Sequence, residues 1–286
     1  MTAALSILDS HVHFWDPRRM RYPWLDDVAE LDRARTPEHF PGRAEVIVVE
    51  AGRVPDGAAA EIAWIRQESR RHPRIRGIVA HVEIGNPARA RELVEEHDPF
   101  VVGVRRNAQD EPPGFLDDHD FRAGARLLGE AGLPFDACVR AHQLPELTEL
   151  ATACPRTTIV LDHLGKPAPG GPGYDRWRRD LRRLARRDNV LCKLSGLATE
   201  TTPGTDRGAV VDALREALDV FGPGRCLYGS DWPVLTLATE YAAWLDLVHT
   251  ALAAHPAAAA EAVFHDNAAR AYRVRSAAQG PRKDPE

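Results

Sequence analysis

Short runs of apolar and β-branched residues recur along the chain and alternate with segments whose apolar residues repeat every three or four positions. A short apolar run between turn residues is typical of a buried strand, and the longer repeat is typical of an amphipathic helix. Eight runs predict strands, at positions 5–14, 45–51, 75–82, 100–105, 135–139, 157–163, 190–194 and 226–231.

Helical patterns follow every predicted strand from the second onward, at 57–71, 87–96, 118–131, 144–153, 174–187, 207–221 and 237–254, with a last one at 257–272. This alternation indicates parallel strands joined by right-handed crossovers. Eight units predict an α/β fold, a closed (β/α)₈ TIM barrel that forms a single domain over residues 1–276. The rival open sheet usually has a glycine-rich turn after its first strand, where this chain has His-Val-His-Phe-Trp.

The connection after the first predicted strand, residues 15–43, is unusually long and contains four prolines. Loops of this length are usually functional or disordered, and the aromatic residues Trp15, Tyr22 and Trp24 favour an ordered one. In a barrel it would lie on the carboxyl-terminal face, where active sites lie. We expect a partial lid there, and a disordered polar tail at 277–286.

Composition narrows the classes of function. The 286 residues are 44% hydrophobic and 28% charged with a net charge of −5, which is typical of a globular protein and not of a nucleic-acid binder. The four cysteines are far apart without a CxxC motif, so we expect free thiols in a reducing cytoplasm. With no stretch of transmembrane length and no signal-like start, we expect a cytoplasmic protein that acts on a small molecule.

Reactive side chains stand at the predicted strand ends. His11 and His13 are two positions apart on the first strand and therefore project from the same face. Other reactive residues occur at or just past the fourth to eighth strands: Arg105, His142, His163, Lys193 with Ser195, and Asp231. If the barrel closes, these ends form one ring around one pocket.

Four motifs, "HVHFWDP", "LDHLGKP", "KLSGL" and "YGSDWP", together resemble those of the amidohydrolase superfamily. They are most similar to its branch of sugar-lactone and aromatic-lactone hydrolases, which includes L-fuconolactonases, L-rhamnonolactonases and pyrone-dicarboxylate lactonases. The resemblance covers nearly the whole chain and implies a hydrolase that opens a lactone in carbohydrate catabolism. Binuclear members carry a bridging lysine or glutamate at the fourth strand, where this chain has Arg105, which argues against a two-metal site.

Opening a lactone requires a base for water, a group that polarises the carbonyl and a proton for the leaving oxygen. Asp231 is the candidate base, with His163 as its catalytic neighbour. His11, His13, His163 and Asp231 would bind one divalent metal, with zinc as the expected ion. The same imidazoles would otherwise hydrogen-bond the carbonyl oxygen in a metal-free oxyanion site, and both models stay open.

Several side chains would contact substrate. Arg105, His142 and Lys193 offer polar contacts, and Trp15, Trp24 and Trp232 offer stacking faces.

Each assignment has a structural alternative. Asp231 has the position of a helix N-cap, Lys193 is a candidate buried ion-pair partner, and His142 is a candidate surface residue. Asp162 is expected to face away from His163 and to cap a helix. Two other functions use the same residues: a metal-dependent decarboxylase, and an aldolase that forms a Schiff base through Lys193.

Overall fold

The computed structural model of the chain describes residues 5–96, 98–201 and 205–274. Eight strands pair in parallel and in chain order. They are β1 Leu8–Val12, β2 Glu45–Val49, β3 Ile75–His81, β4 Val101–Arg105, β5 Phe135–Ala137, β6 Ile159–Leu161, β7 Val190–Leu194 and β8 Cys226–Tyr228. The predicted tail at 277–286 lies outside the described residues.

The two edge strands of this sheet meet, so the sheet forms a barrel. Val12 bridges Trp232 in parallel register, and the backbone amide of His13 donates to the carbonyl oxygen of Trp232 at 2.7 Å. The hydroxyl of Ser10 also donates to the carbonyl oxygen of Tyr228 at 2.6 Å. The predicted (β/α)₈ TIM barrel is confirmed.

Helices cover the outside of the barrel. They are α1 Ala58–Arg71, α2 Pro87–Glu96, α3 His119–Ala131, α4 Leu144–Ala153, α5 Tyr174–Leu184, α6 Arg207–Phe221, α7 Tyr241–Leu252, α8 Ala257–Glu261 and α9 Asn267–Ala271. The single last helix predicted at 257–272 is divided, because a π-helical turn at Ala262–Asp266 separates α8 from α9.

A buried apolar cluster joins the strands to the end of the chain. It combines residues of six strands with Ala268 of α9 and Tyr272 just after it. A cluster shared by so many strands lies inside the barrel, so the side chain of Tyr272 is part of the barrel interior. All four cysteines are buried and free. Within the described residues, no helix combines the length and apolarity of a membrane span.

The segment predicted as a partial lid is ordered. It contains two short 3₁₀ turns, Pro23–Asp27 and Pro37–His39, and a bridge between Trp15 and Arg35. Its aromatic and apolar side chains form a small core of their own against Ala51. The lid is therefore an ordered segment that packs beside the strand ends.

Six of the eight strands end earlier on the carboxyl-terminal face than the sequence predicts, and β4 and β7 end where it predicts. β6 stops at Leu161 and β8 at Tyr228, whereas the predicted strands extended to His163 and Asp231. Both of these residues adopt left-handed backbone angles, with φ of 54° and 62°. Such angles are costly for residues other than glycine and cluster at functional sites. The backbone turns here and aims both side chains at the barrel mouth.

Candidate active site

Asp231 is fixed to the first strand by backbone hydrogen bonds. Its amide donates to the carbonyl oxygen of His11 at 2.8 Å. The carboxylate of Asp9 accepts from the amide of Ser230 at 2.9 Å and from the amide of His11 at 3.2 Å. The loop after β8 is therefore held against the end of β1, and the Asp231 carboxylate faces the β1 histidines.

His163 lies in the 3₁₀ turn Asp162–Gly165 that follows β6. The indole of Trp177 on α5 donates to the carbonyl oxygen of Leu164 at 2.8 Å and supports this turn. The Nδ1 atom of His163 lies 2.9 Å from the hydroxyl of Ser195. Gly196, with φ of 63°, packs so closely that a Cβ there would lie 2.2 Å from Nδ1. The ring orientation is thus set on both sides.

The three histidines and Asp231 converge. The ring of His11 lies 4.9 Å from that of His13 and 4.5 Å from that of His163, between centroids. An Asp231 oxygen lies 3.3 Å from Nε2 of His13 and 3.7 Å from Nε2 of His11. The four residues predicted as a catalytic and metal-binding group are therefore brought together at the barrel mouth.

These groups are buried, and their charge is decided by burial together with the neighbouring side chains. Burial alone would raise the pKa of Asp231, but the surrounding His163, His13 and His11 outweigh it and hold that pKa below its usual range. Burial lowers the pKa of His163 to about 4. The pocket therefore presents a carboxylate beside a neutral imidazole at neutral pH.

The donor atoms fit a zinc ion. One ligand atom each of His11, His163 and Asp231 lies within 4.8 Å of the others. His13 donates from Nδ1 to the carbonyl oxygen of Val49 at 2.9 Å, which directs its Nε2 atom at the Asp231 carboxylate. A metal ion between these two groups would have a nitrogen and an oxygen ligand. The buried Nε2 of His11 also has no hydrogen-bond partner among the described residues. Nitrogen and carboxylate donors of this kind suit zinc.

A cavity of about 460 Å³ opens above this group. Its wall includes residues from the predicted site and others that were not predicted. They are His13, Pro23, Trp24, Ala51, Gly52, Arg53, Val54, Arg105, Asn107, Gln109, Asp110, Cys138, His163, Lys166, Asp231 and Val234. The cavity lies within the 300–1,000 Å³ range that is usual for small-molecule sites.

Arg105 reaches the cavity wall as predicted, but most of its guanidinium is engaged. Its Nε donates to the carboxylate of Glu50 at 2.8 Å, and an Nη atom donates to the carbonyl oxygen of Glu50 at 2.5 Å. Burial lowers the pKa of Arg105, but Glu50 outweighs this effect and the pKa is raised, so the cation is permanent. The charge of Arg105 that a substrate would contact is therefore already neutralised by Glu50.

Lys193 is not on the cavity wall. It is fully buried, its ammonium pairs with Asp136, and Nζ lies 3.2 Å from an Asp162 oxygen and 3.2 Å from Nδ1 of His11. The hydroxyl of Tyr272 donates to Asp136 at 2.8 Å. The structure therefore places Lys193 one layer below the pocket, as the ion-pair partner that was its alternative assignment. Asp162 was expected to face away and to cap a helix, but the turn brings it into this cluster.

Only one of the three tryptophans predicted to contact substrate lies on the cavity wall. Trp24 does, and its indole donates to the carbonyl oxygen of Ala51 at 2.8 Å. Trp15 is fully buried in the lid, and Trp232 packs against Phe14 and Phe40.

His142 lies on the wall of a neighbouring cavity, which shares Lys166 with the main one. It therefore does not join the group around Asp231.

Lys166 is a pocket residue that the site prediction missed. Its ammonium lies 3.2 Å from a Glu200 oxygen, and its backbone φ is 52°. The chain has three lysines, at 166, 193 and 283, among 37 basic residues. That scarcity was the available signal, since two of the three lie in or under the site.

Comparison with known proteins places the chain in a family. Residues 8–274 match the model described as amidohydrolase. An L-fucono-1,5-lactonase of Burkholderia multivorans is 34% identical over 285 residues, which cover 93% of this chain and 95% of that protein.

Solved structures agree on the fold. An amidohydrolase of Burkholderia multivorans, crystallised with bound zinc, superposes with a TM-score of 0.85 at 32% identity, covering 94% of this chain and 100% of that one. A 2,6-dihydroxybenzoate decarboxylase of Rhizobium has a TM-score of 0.64 at 15% identity, covering 94% and 99% of the two chains. At that identity the likeness concerns the fold alone.

Proposed function

The chain belongs to the amidohydrolase family, and we propose that it is a lactone hydrolase whose substrate is a sugar-acid lactone such as an L-fucono- or L-rhamnonolactone. One observation carries the chemistry: the Asp231 carboxylate lies in contact with His13 and near His11 at the base of a cavity. The L-fucono-1,5-lactonase relative supports the choice of substrate. We place the reaction in carbohydrate catabolism, and in the cytoplasm because the cysteines are free thiols.

Asp231 acts as the general base in this proposal. Its pKa lies below the usual range, so the carboxylate is ionised and accepts a proton from water as that water attacks the lactone carbonyl. The same carboxyl then returns the proton to the ring oxygen as the carbon–oxygen bond breaks. The products are a hydroxy acid and, at neutral pH, one released proton.

The imidazoles orient the reacting groups. His163, held by Ser195, faces the cavity beside Asp231 and stabilises the oxygen that gains charge in the transition state. A zinc ion, when bound by His11, His13, His163 and Asp231, would supply Lewis-acid polarisation and lower the pKa of water. Since a lactone is an activated ester, the residues alone are chemically sufficient for a slower reaction.

The charge pattern of the cavity favours a neutral polyol lactone over a dicarboxylate. Within the described residues, each basic side chain on the cavity wall faces an acidic one: Arg53 and Arg105 share Glu50, and Lys166 pairs with Glu200. A dicarboxylate would have to compete with these carboxylates. Sugar hydroxyls instead accept from the cations and donate to the acids in the same contact.

The aldolase alternative does not fit the position of Lys193. A Schiff base requires a neutral amine that reaches substrate. Lys193 is fully buried and pairs with the carboxylates of Asp136 and Asp162. These contacts raise its pKa in spite of burial, so the amine stays protonated.

A panel of lactones tests the proposal directly. The purified chain is assayed with a pH indicator against L-fucono- and L-rhamnonolactone, their stereoisomers, and a pyrone dicarboxylate. We expect proton release with one or more sugar lactones and little with the dicarboxylate. Preference for the dicarboxylate would overturn the substrate class, and no turnover of any lactone would overturn the function.

A further inference from the structure

The two ring nitrogens of His11 have different neighbours. Nδ1 lies 3.2 Å from the ammonium of Lys193 and 3.3 Å from a carboxylate oxygen of Asp162. Nε2 lies 3.7 Å from the Asp231 carboxylate and, in the part of the chain that the structure describes, has no hydrogen-bond partner. A neutral imidazole carries one proton, so Nδ1 either accepts from Lys193 or donates to Asp162.

The contacts of Lys193 favour the first arrangement. An ammonium has three donors and no acceptor. Its hydrogen bonds of good geometry go to Asp136 and to Nδ1 of His11, whereas Asp162 lies 3.2 Å away as an ion-pair partner. A ring nitrogen that accepts this hydrogen bond cannot carry the proton itself.

Asp162 does not need the proton of His11. Lys193 lies 3.2 Å from one of its oxygens, and Arg105 lies 3.8 Å from the other. Within residues 5–96, 98–201 and 205–274, neither Asp162 oxygen forms a hydrogen bond of good geometry, the one nearest Nδ1 included. The carboxylate is thus neutralised by cations, and Lys193 competes with it for Nδ1.

We propose that Lys193 is a positioning residue that holds His11 as the tautomer protonated on Nε2; this inference rests on the proposed lactone hydrolase function. His13 is held the opposite way, because its Nδ1 donates to the carbonyl oxygen of Val49. The Nε2 atoms of both rings face the same Asp231 oxygen, at 3.7 Å for His11 and 3.3 Å for His13. His11 is fully buried and its donor faces Asp231, so it acts on the reaction through that carboxylate.

The same arrangement weakens zinc binding. A metal ligates the lone pair of Nε2, so the proton of His11 must first move to Nδ1. There it would face the ammonium of Lys193, and that hydrogen bond would be lost. Lys193 thereby lowers the zinc affinity of a site whose donor atoms otherwise fit zinc.

Nitrogen NMR on the wild-type chain reads the tautomer directly. The full-length protein, labelled with ¹⁵N-histidine and treated with a chelator, is recorded in a long-range ¹H–¹⁵N correlation experiment. His11 is assigned by the signals that disappear in His11→Gln. We expect the proton on Nε2, and its transfer to Nδ1 when zinc is added. A proton on Nδ1 in the chelated protein would overturn the proposal.

Zinc affinity of two lysine variants provides a second readout. Lys193→Met removes the donor to Nδ1, so His11 can donate to Asp162. We therefore expect zinc to bind about tenfold or more tightly, a change of the size that outer-shell partners usually make in metal affinity, here with the opposite sign. Lys166→Met removes one charge from the same pocket without touching His11. Both are measured by competition with a chelating dye. Equal affinities in the two variants would contradict the proposal.

Neither readout depends on turnover. If Lys193→Met does not fold, the wild-type spectrum decides alone. If no lactone is opened, the proposed function fails, whereas the tautomer of His11 is still measured on its own.

Discussion

The backbone amide of Asp231 donates a hydrogen bond to the carbonyl oxygen of His11 at 2.8 Å. This bond belongs to the seam where the segment after β8 meets β1 and the barrel closes. The contact that completes the sheet therefore also places the candidate base against the first imidazole. Closure of the barrel and assembly of the site are one structural event.

Gly196 is required by the ring of His163. In Gly196→Ala, the new Cβ would lie 2.2 Å from Nδ1 and displace the ring. We expect kcat/KM to fall by about tenfold or more, which corresponds to about 1.4 kcal/mol of transition-state stabilisation. Steady-state kinetics with a sugar lactone measure this loss.

Gly170→Ala is the matched control for that variant. Gly170 also has a left-handed backbone, with φ of 71°, but no atom of the other described residues lies within 4 Å of an added Cβ. Both variants should lose about 1 kcal/mol of unfolding free energy from the backbone conformation. An equal effect of the two on kcat/KM would show that the His163 contact is unimportant.

Asp9 predicts a pH-dependent stability. Burial raises the pKa of Asp9 to about 7, although hydrogen bonds from Ser230 and His11 oppose the rise. Because the folded pKa exceeds the unfolded one, this contribution to stability is complete below about pH 4 and is lost as pH rises through 7. Asp9→Asn keeps an acceptor oxygen and does not titrate. Its stability relative to wild type should therefore improve by a few kcal/mol, on the order of 1–4, between about pH 5 and pH 8.

Urea unfolding of both proteins at the two pH values measures that difference. Asp9→Ala serves as the comparison. It loses the acceptor oxygen and should be less stable than Asp9→Asn at both pH values. A relative stability of Asp9→Asn that does not change with pH would contradict the assignment.

Trp15 and Trp24 should respond differently to substitution by phenylalanine. The buried indole of Trp15 donates to the carbonyl oxygens of Leu31 and Arg33, so Trp15→Phe should lower the unfolding free energy by about 1–3 kcal/mol. Trp24 lies on the cavity wall, so Trp24→Phe should mainly raise KM. Thermal unfolding and kinetics of both variants separate the two roles. If Trp15→Phe raised KM and Trp24→Phe did not, the two assigned roles would be contradicted.

The sequence predicted the barrel because apolar periodicity reports burial, and burial decides where strands and helices lie. It did not predict where the strands stop on the active face. His163 and Asp231 come shortly after apolar runs but adopt left-handed backbone angles, which residue type does not reveal. Their arrival at one site could be predicted from the alternation of strands and helices.

The sequence did not predict how deep a side chain lies along the barrel axis. Lys193 and Ser195 were predicted to share a face of one strand, but β7 ends at Leu194, and Ser195 contacts His163 while Lys193 contacts His11. A strand position gives the face of a side chain and not its height above the core. For the same reason, Trp15 was predicted at the pocket although it lies inside the lid.

The activity of Asp231→Asn tests the central claim most directly. The amide keeps the size of the side chain but cannot accept a proton from water, so kcat for a sugar lactone should fall by about 10²–10⁴. Asp117→Asn is the control, since Asp117 pairs with Arg122 on the surface. A folded Asp231→Asn protein with the predicted loss would support Asp231 as the base, and wild-type turnover by that protein would contradict it.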